Sequence, residues 1–219
     1  MLHLTTVHLK REKIKTLLVP VCQDKPIHKS PPLVALIEQA LKLKEFKGKK
    51  DQEVVLYNPQ GIAAERVMLR GLGKAEALDA EALRQMVGKA LKRCIQMDVS
   101  RLWVAVPEAK AVGLAMPALL KALLEAAYLG NHVFNRYRQE KEPKPLARIE
   151  LVVDGPTQRE FARLPAEVEM VCRETVLARE WVNTPSNEKP PAELARLITA
   201  EARKAGLSAK VFNEAELRR

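Results

Sequence analysis

The feature that most constrains this chain is its alternation between short apolar runs and longer amphipathic stretches. Residues 17–21 (LLVPV), 102–106 (LWVAV) and 149–153 (IELVV) are nearly continuous apolar runs, as expected of strands that are buried on both faces. Between them, apolar residues recur at helical spacing, as in the segment that begins at Leu83. This alternation predicts an α/β fold with a mixed, mostly parallel sheet and helices on both of its faces.

Capping and turn residues mark where several elements begin. Ser30 before Pro31 is typical of a helix N-terminus, and Asp79 is a second candidate N-cap. The predicted strands at residues 54–57 and 66–69 are joined by Asn-Pro-Gln-Gly, which favours a turn. A connection this short predicts an antiparallel pair of strands.

The sequence pattern of the chain changes near its C-terminal end. The last long helix before the change has an apolar side formed by Val168, Val171, Cys172, Thr175, Val176 and Val182. Residues 183–187 (NTPSN) then form a breaker-rich loop, and residues 208–212 alternate like a strand. Asn213 stands three residues before Glu216, which is the spacing of a capping box. We therefore expect a new helix to open at Asn213 and the polypeptide to continue beyond Arg219.

Composition limits the classes of protein that fit. The chain is 47% hydrophobic and has no apolar run of the roughly 20 residues that a membrane span requires. Its first residues lack the pattern of a secretory signal. The three cysteines, Cys22, Cys94 and Cys172, are widely spaced and lie in apolar patterns, which predicts buried free thiols. These features predict a soluble cytoplasmic protein.

The net charge of +10 is the unusual bulk property. A basic surface can bind nucleic acid or an acidic membrane. Here Lys and Arg alternate with Glu along the predicted helices, and the densest cluster, residues 42–50, is typical of a helix end that runs into a turn. Only 4% of the residues are aromatic, which leaves few platforms for stacking bases. We favour a surface that faces solvent or a partner domain.

Candidate sites for chemistry are incomplete. Residues 71–74 (GLGK) lie between a strand and a helix, but they match neither the dinucleotide fingerprint nor the P-loop, and we predict a simple turn there. The polar side chains of residues 183–187 are suited either to binding a ligand or to a linker between domains, and we favour the linker. Metal-ligand spacing is missing among the four histidines, His3, His8, His28 and His132. His3 and His8 are predicted to lie on opposite faces of a first strand. We therefore predict no catalytic, cofactor-binding or metal-ligating residue in this chain.

Three segments, in this order, resemble one known family. They are residues 61–67 (GIAAERV) running on to 71–74, residues 128–130 (YLG) continuing through 134–138 (FNRYR), and residues 178–187 (AREWVNTPSN). All three are similar to the amino-terminal domain of leucyl aminopeptidases of the two-metal cytosolic family. The last is similar to the family's A-R-x-L-V-N-x-P-x-N stretch. Trp181 and His132 depart from the family's usual residues, but neither occupies a catalytic position.

The resemblance implies a macro-domain-like amino-terminal domain over residues 1–177. Residues 178–219 would then form a linker helix and the start of a catalytic domain. In the family, that larger domain binds two divalent ions, manganese or zinc among them, and releases amino-terminal residues such as leucine from peptides. The family's metal ligands and catalytic residues have no counterpart in this chain, so the chain alone is expected to be inactive, with a structural, assembly or regulatory role. The implied partners are its own catalytic domain and, for the full-length protein, five further copies in a hexamer.

A second hypothesis stays open. Macro-type folds can bind nucleotides, and some members of this family also bind DNA through this region. The alternative function is therefore a nucleotide- or nucleic-acid-binding module that uses the basic surface.

Overall fold

The computed structural model describes residues 1–137 and 144–218. Its strands are β1 (Leu2–Thr5), β2 (Ile14–Cys22), β3 (Glu53–Tyr57), β4 (Ala64–Gly73), β5 (Arg101–Ala105) and β6 (Arg148–Val152). Its helices are α1 (Pro31–Leu41), α2 (Ala80–Gln96), α3 (Met116–Gly130), α4 (Gly155–Glu160), α5 (Leu164–Asn183), α6 (Pro191–Lys204) and α7 (Glu214–Leu217). In the described part of the chain, no helix combines the length and the apolar character needed to cross a membrane.

The six strands form one sheet in the order β1-β6-β5-β2-β4-β3. All neighbouring strands pair in parallel except β3 and β4, which form the predicted antiparallel pair. The α/β class and the mixed, mostly parallel sheet are therefore confirmed.

The sheet is packed on both faces, which explains the continuous apolar runs. In β2, Leu17 and Val19 point into a core cluster that also contains Leu33 and Leu36 of α1. Leu18 points the other way, into a larger cluster built with α2 and α3. Because alternate residues of one strand serve two cores, every position of the run must be apolar.

The predicted helix starts are confirmed. Ser30 is the N-cap of α1, with Pro31 and Pro32 in its first turn, although the Ser30 side chain makes no capping hydrogen bond. Asp79 caps α2, and its carboxylate accepts a hydrogen bond from the backbone N–H of Ala82 at 2.7 Å.

The predicted turn at residues 71–74 is wrong, because Gly71 to Gly73 are the last residues of β4. A Cβ on Gly71 would lie 2.0 Å from the carbonyl oxygen of Lys49. Gly73 has a φ of +83°, which favours glycine. Both glycines therefore serve the close approach of the segment before β3 to the end of β4.

Two other local predictions are also wrong. Residues 208–212 form no strand; an alternating pattern becomes a strand only beside a neighbour that supplies backbone partners. His3 lies in β1, but His8 lies outside it, so the two do not occupy opposite faces of one strand. Arg138, the last residue of one segment that carries the family resemblance, lies outside the described residues.

The chain divides into two compact units, Met1–Val176 and Leu177–Arg219. The first contains the whole sheet and both core clusters. Among the described residues of the second, none is buried. The predicted apolar side of α5 is correspondingly mixed: Val168 and Cys172 are buried, whereas Val171 and Val182 are exposed.

Candidate functional site

The strand order creates one crevice at the carboxyl edge of the sheet. The connection after β2 leads to α1, which packs on one face, and the connection after the adjacent β5 leads to α3, which packs on the other. Where neighbouring parallel strands send their connections to opposite faces, the connections separate and leave a space in which α/β proteins bind ligands. The fold therefore favours a ligand site at this carboxyl edge.

A cavity of about 560 Å³ opens at this edge. Its walls are residues 7–10, 28–33 and 152–154, together with Ala105, Val106 and Glu108. A second cavity of about 260 Å³ lies along β2 and α1, and His28 lines both. We call the larger one the carboxyl-edge cleft.

The cleft is poorly equipped to bind phosphate. It includes the N-terminus of α1, and a helix N-terminus normally binds anions through its free N–H groups. Here Pro31 and Pro32 occupy the first helical positions, and proline has no N–H group. No glycine stands among the residues that line the cleft, so it also lacks the flexible loop that lets a backbone wrap around a phosphate.

Three charged residues of the cleft, Lys29, Glu108 and Asp154, hold its loops together. The Lys29 ammonium group pairs with the Glu108 carboxylate, and the Glu108 N–H donates to the carbonyl oxygen of Ile27 at 2.8 Å. The Asp154 carboxylate accepts from the N–H of Thr157 at 2.8 Å. Hydrogen bonds from the side chain of Thr157 and from this backbone N–H lower the pKa of Asp154. These contacts fix the walls of the cleft.

Two groups with reactive side chains, His28 and Cys22, line the smaller cavity and are inert at neutral pH. His28 is buried, and its Nε2 lies 2.8 Å from the carbonyl oxygen of Pro20, so Nε2 carries the proton and donates. Burial lowers the pKa of His28, which keeps the ring neutral. Burial raises the pKa of Cys22 to about 11, so its thiol stays protonated and is a poor nucleophile.

The other positions singled out in the sequence do not converge. Within residues 1–137 and 144–218, no three His, Cys, Asp or Glu side chains lie close enough to hold a metal ion. The loop at residues 183–187 begins at Asn183, the last residue of α5, and leads into a short 3₁₀ helix, Ser186–Glu188. The prediction that this chain contains no catalytic or metal-binding residue stays a prediction.

Comparison with known proteins identifies the family. Residues 30–141 match the family model described as "Cytosol aminopeptidase family, N-terminal domain". The chain belongs to the cytosol aminopeptidase family. This confirms the family resemblance, and the first two of the three segments lie within the matched residues. The cytosol aminopeptidases are a family of metallo-aminopeptidases.

The relatives are much longer than this chain. It is 30% identical, over 176 residues, to a probable cytosol aminopeptidase of a Geobacter species, which covers 80% of this chain and 35% of that protein. A mutant of tomato leucine aminopeptidase shares its fold with a TM-score of 0.80 at 22% identity, over 99% of this chain and 45% of that one. The bottromycin maturation enzyme BotP in complex with Mn has a TM-score of 0.67 at 24% identity, over 93% and 39% of the two chains. The chain thus spans less than half of the length of each of these proteins.

Proposed function

We propose that this chain is the non-catalytic amino-terminal part of a metallo-aminopeptidase that removes amino-terminal residues, leucine among them, from peptides. Residues 1–177 form its macro-like amino-terminal domain. Residues 178–219 form a linker helix and the start of a catalytic domain that binds two divalent ions, manganese or zinc. The full-length protein is cytoplasmic and assembles as a homo-hexamer.

The observation that carries this proposal is the contrast between the family match and the second unit. The chain belongs to a family in which the Geobacter relative is more than twice as long. Large apolar side chains are exposed throughout the second unit, at Val182, Ile198, Leu207, Val211, Phe212 and Leu217. Exposed apolar residues at this density are typical of a surface that a partner covers. The rest of the longer protein is the partner that the family match supports.

The first unit supports a structural role rather than a chemical one. Lys29 and Glu108 of the cleft pair with each other, the Cys22 thiol is protonated, and the described side chains offer no metal cluster. These residues do not fit a two-metal centre, and no step of metal-assisted hydrolysis is assigned to them. The ions belong, in this proposal, to the catalytic domain.

Hydrolysis of a leucine anilide in the presence of Mn²⁺ tests the activity. We expect no turnover by the 219-residue chain and metal-dependent turnover by the full-length protein, abolished by a chelator. Metal-dependent turnover by the short chain would mean that its own carboxylates and histidines form a centre, and the proposal would be wrong.

The placement of the second unit is tested by Val182→Asp. The Val182 side chain is 78% exposed here, so the substitution is expected to leave the melting temperature of the 219-residue chain unchanged. In the full-length protein the same change places a carboxylate in an apolar contact and costs several kcal/mol. Thr6→Asp, at an exposed position of the first unit, is the matched control and should be neutral in both. Equal melting temperatures for all full-length variants would contradict the proposed contact.

The alternative function has unequal support in its two forms. Nucleotide binding is disfavoured by the prolines at the start of α1 and by the absence of glycine from the cleft lining. Nucleic-acid binding rests on the net charge of +10 and on the exposed lysines of the segment before β3, Lys42, Lys44, Lys47, Lys49 and Lys50. Sequence-specific binding to DNA in physiological salt would support it, whereas weak binding that ignores sequence would reduce it to general electrostatics.

A further inference from the structure

The two edges of the sheet differ in how far their outward backbone groups are protected. At the β1 edge, side chains occupy the outward backbone groups. The N–H of Leu2 donates to Oε1 of Glu169 at 2.5 Å, and the carbonyl oxygen of Leu4 accepts from Nε2 of Gln158 at 3.0 Å. An edge protected in this way cannot easily pair with another strand.

At the β3 edge the outward groups follow from the ladder with β4. The N–H of Gly71 donates to the carbonyl oxygen of Gln52 at 2.8 Å, and the N–H of Asn58 donates to the carbonyl oxygen of Glu65 at 2.9 Å. Backbone groups of an antiparallel strand point alternately toward and away from the partner, so the even-numbered residues of 52–58 face β4. The residues whose N–H and C=O groups point away are Glu53, Val55 and Tyr57.

The β3 edge carries few of the devices that usually protect an edge strand. Its sequence, EVVLY, contains no proline and no lysine, and its pairing with β4 has no bulge. Among the described residues, none forms a hydrogen bond with the outward backbone groups of β3. Val54, Val55 and Leu56 are only half-buried, and the side chain of Tyr57 is 64% exposed. The strand is therefore open to pairing.

We propose that β3 pairs antiparallel with β3 of a second copy of this chain, about a two-fold axis at Val55. In this register Val55 lies opposite its own copy, and Glu53 lies opposite Tyr57 of the second copy. Each opposed pair of outward residues exchanges two backbone hydrogen bonds. The two sheets join into one continuous sheet of twelve strands, twice the six of each copy.

The sequence of β3 favours a second copy over an unrelated peptide, because the strand complements itself. The register opposes Val54 to Leu56 and opposes no two like charges, which is the arrangement that stabilises cross-strand pairs. The one carboxylate, that of Glu53, is already bonded to Arg70 at 2.7 Å and remains so in the pair. Five residues form an interface below the roughly 1,000 Å² of stable complexes, so the dimer is weak and depends on concentration.

This inference does not depend on the proposed catalytic role and is tested on the 219-residue chain by sedimentation equilibrium between about 10 and 500 μM. Tyr57→Glu places a carboxylate opposite Glu53 of the second copy, twice by symmetry, and is expected to raise the Kd about 2- to 30-fold. Tyr57→Lys creates two opposite-charge pairs and is expected to lower it by a similar factor. Val171→Glu and Val171→Lys, at an exposed position of α5, are the matched controls and should leave the Kd unchanged.

A backbone variant tests the hydrogen bonds themselves. Val55→Pro removes an N–H that points away from β4, so the β3–β4 ladder is kept while the pairing between copies is lost. Val55→Thr keeps the N–H and should dimerise like the unmodified chain. If the proline variant fails to fold, hydrogen exchange decides: on dimerisation the amides of Glu53, Val55 and Tyr57 should become protected together.

Three results would overturn the proposal. One is a chain that stays monomeric up to 500 μM. The second is a dimer whose Kd is the same in both Tyr57 variants. The third is a dimer that persists in Tyr57→Glu but is lost in Val182→Asp, which would place the contact on the second unit.

Discussion

Helices α2 and α6 show how differently two regions of one chain can use the same pattern. Both are amphipathic and carry a Glu in the first turn and Arg in the last. In the first unit, α2 buries a row of residues that includes Leu83, Val87 and Leu91. In the second unit, α6 buries none. An amphipathic pattern thus specifies a helix and the direction of its apolar face, but the stabilising burial depends on what faces it.

The largest expected difference between the two units is the loss of stability when a leucine is replaced by alanine. Leu91→Ala in α2 removes a fully buried side chain and is expected to lower the free energy of unfolding by about 2–5 kcal/mol. Leu197→Ala in α6 removes a half-buried side chain outside any core and should cost less than about 1 kcal/mol. Urea unfolding followed by circular dichroism measures both. Equal losses would show that α6 has a core of its own and would remove the contrast between the units.

A smaller difference is expected for the helix caps. Asp79 accepts a hydrogen bond from the N–H of Ala82 at 2.7 Å, and Asn213 accepts one from the N–H of Glu216 at 3.0 Å. Asp79→Ala should destabilise the first unit by about 1 kcal/mol. Asn213→Ala should leave the main unfolding transition unchanged, because α7 contributes no buried residue to it. A shift of the main transition in the Asn213 variant would mean that the two units unfold as one.

The smallest expected effect is the pH dependence of the stability of the first unit. Burial lowers the pKa of His28 below its ordinary value of 6.5, while the nearby Glu108 carboxylate and the bond to Pro20 act in the opposite direction. The unfolded chain therefore binds a proton near pH 6.5 that the folded chain does not, and stability falls as pH is lowered through this range. Between pH 7.5 and 6 the loss from this residue is at most about 0.8 kcal/mol.

His28→Gln keeps a donor for the Pro20 carbonyl and removes the titration. The difference in melting temperature between the two proteins should therefore narrow as the pH falls from 7.5 to 6. A constant difference would mean that His28 titrates alike in the folded and unfolded chains.

The sequence predicted well those elements whose evidence is local. The apolar runs correctly predicted β2, β5 and β6, because each of these strands is covered on both faces. The prediction of Asp79 as an N-cap was correct because a cap acts within four residues. The failures depend on distant contacts. Gly71 is a strand residue because its backbone bonds to Asp51 and Gln52, and nothing around position 71 indicates those neighbours.

The candidate site was harder to predict than the fold. The carboxyl-edge cleft exists because β2 and β5 are adjacent in the sheet. The hydrophobic periodicity of a strand does not predict which strand lies next to it. Pro31 was correctly placed at a helix start, but its effect on anion binding becomes visible only once that helix start is found to line a cavity. The exposure of Val182 was also missed, because it depends on what does not pack against α5.

The pairing of β1 with β6 has a consequence for synthesis on the ribosome. Leu2 lies beside Ile149, so the first strand to be made pairs with the last strand of the sheet. At about 5–20 residues per second, β6 is made roughly 7–30 s after β1. Throughout that interval β1 has no neighbour, and from the time β5 is made its side that later receives β6 is uncovered. The nascent sheet is therefore most prone to aggregation just before its last strand emerges. A chaperone that binds β1 would protect the nascent chain over the whole interval.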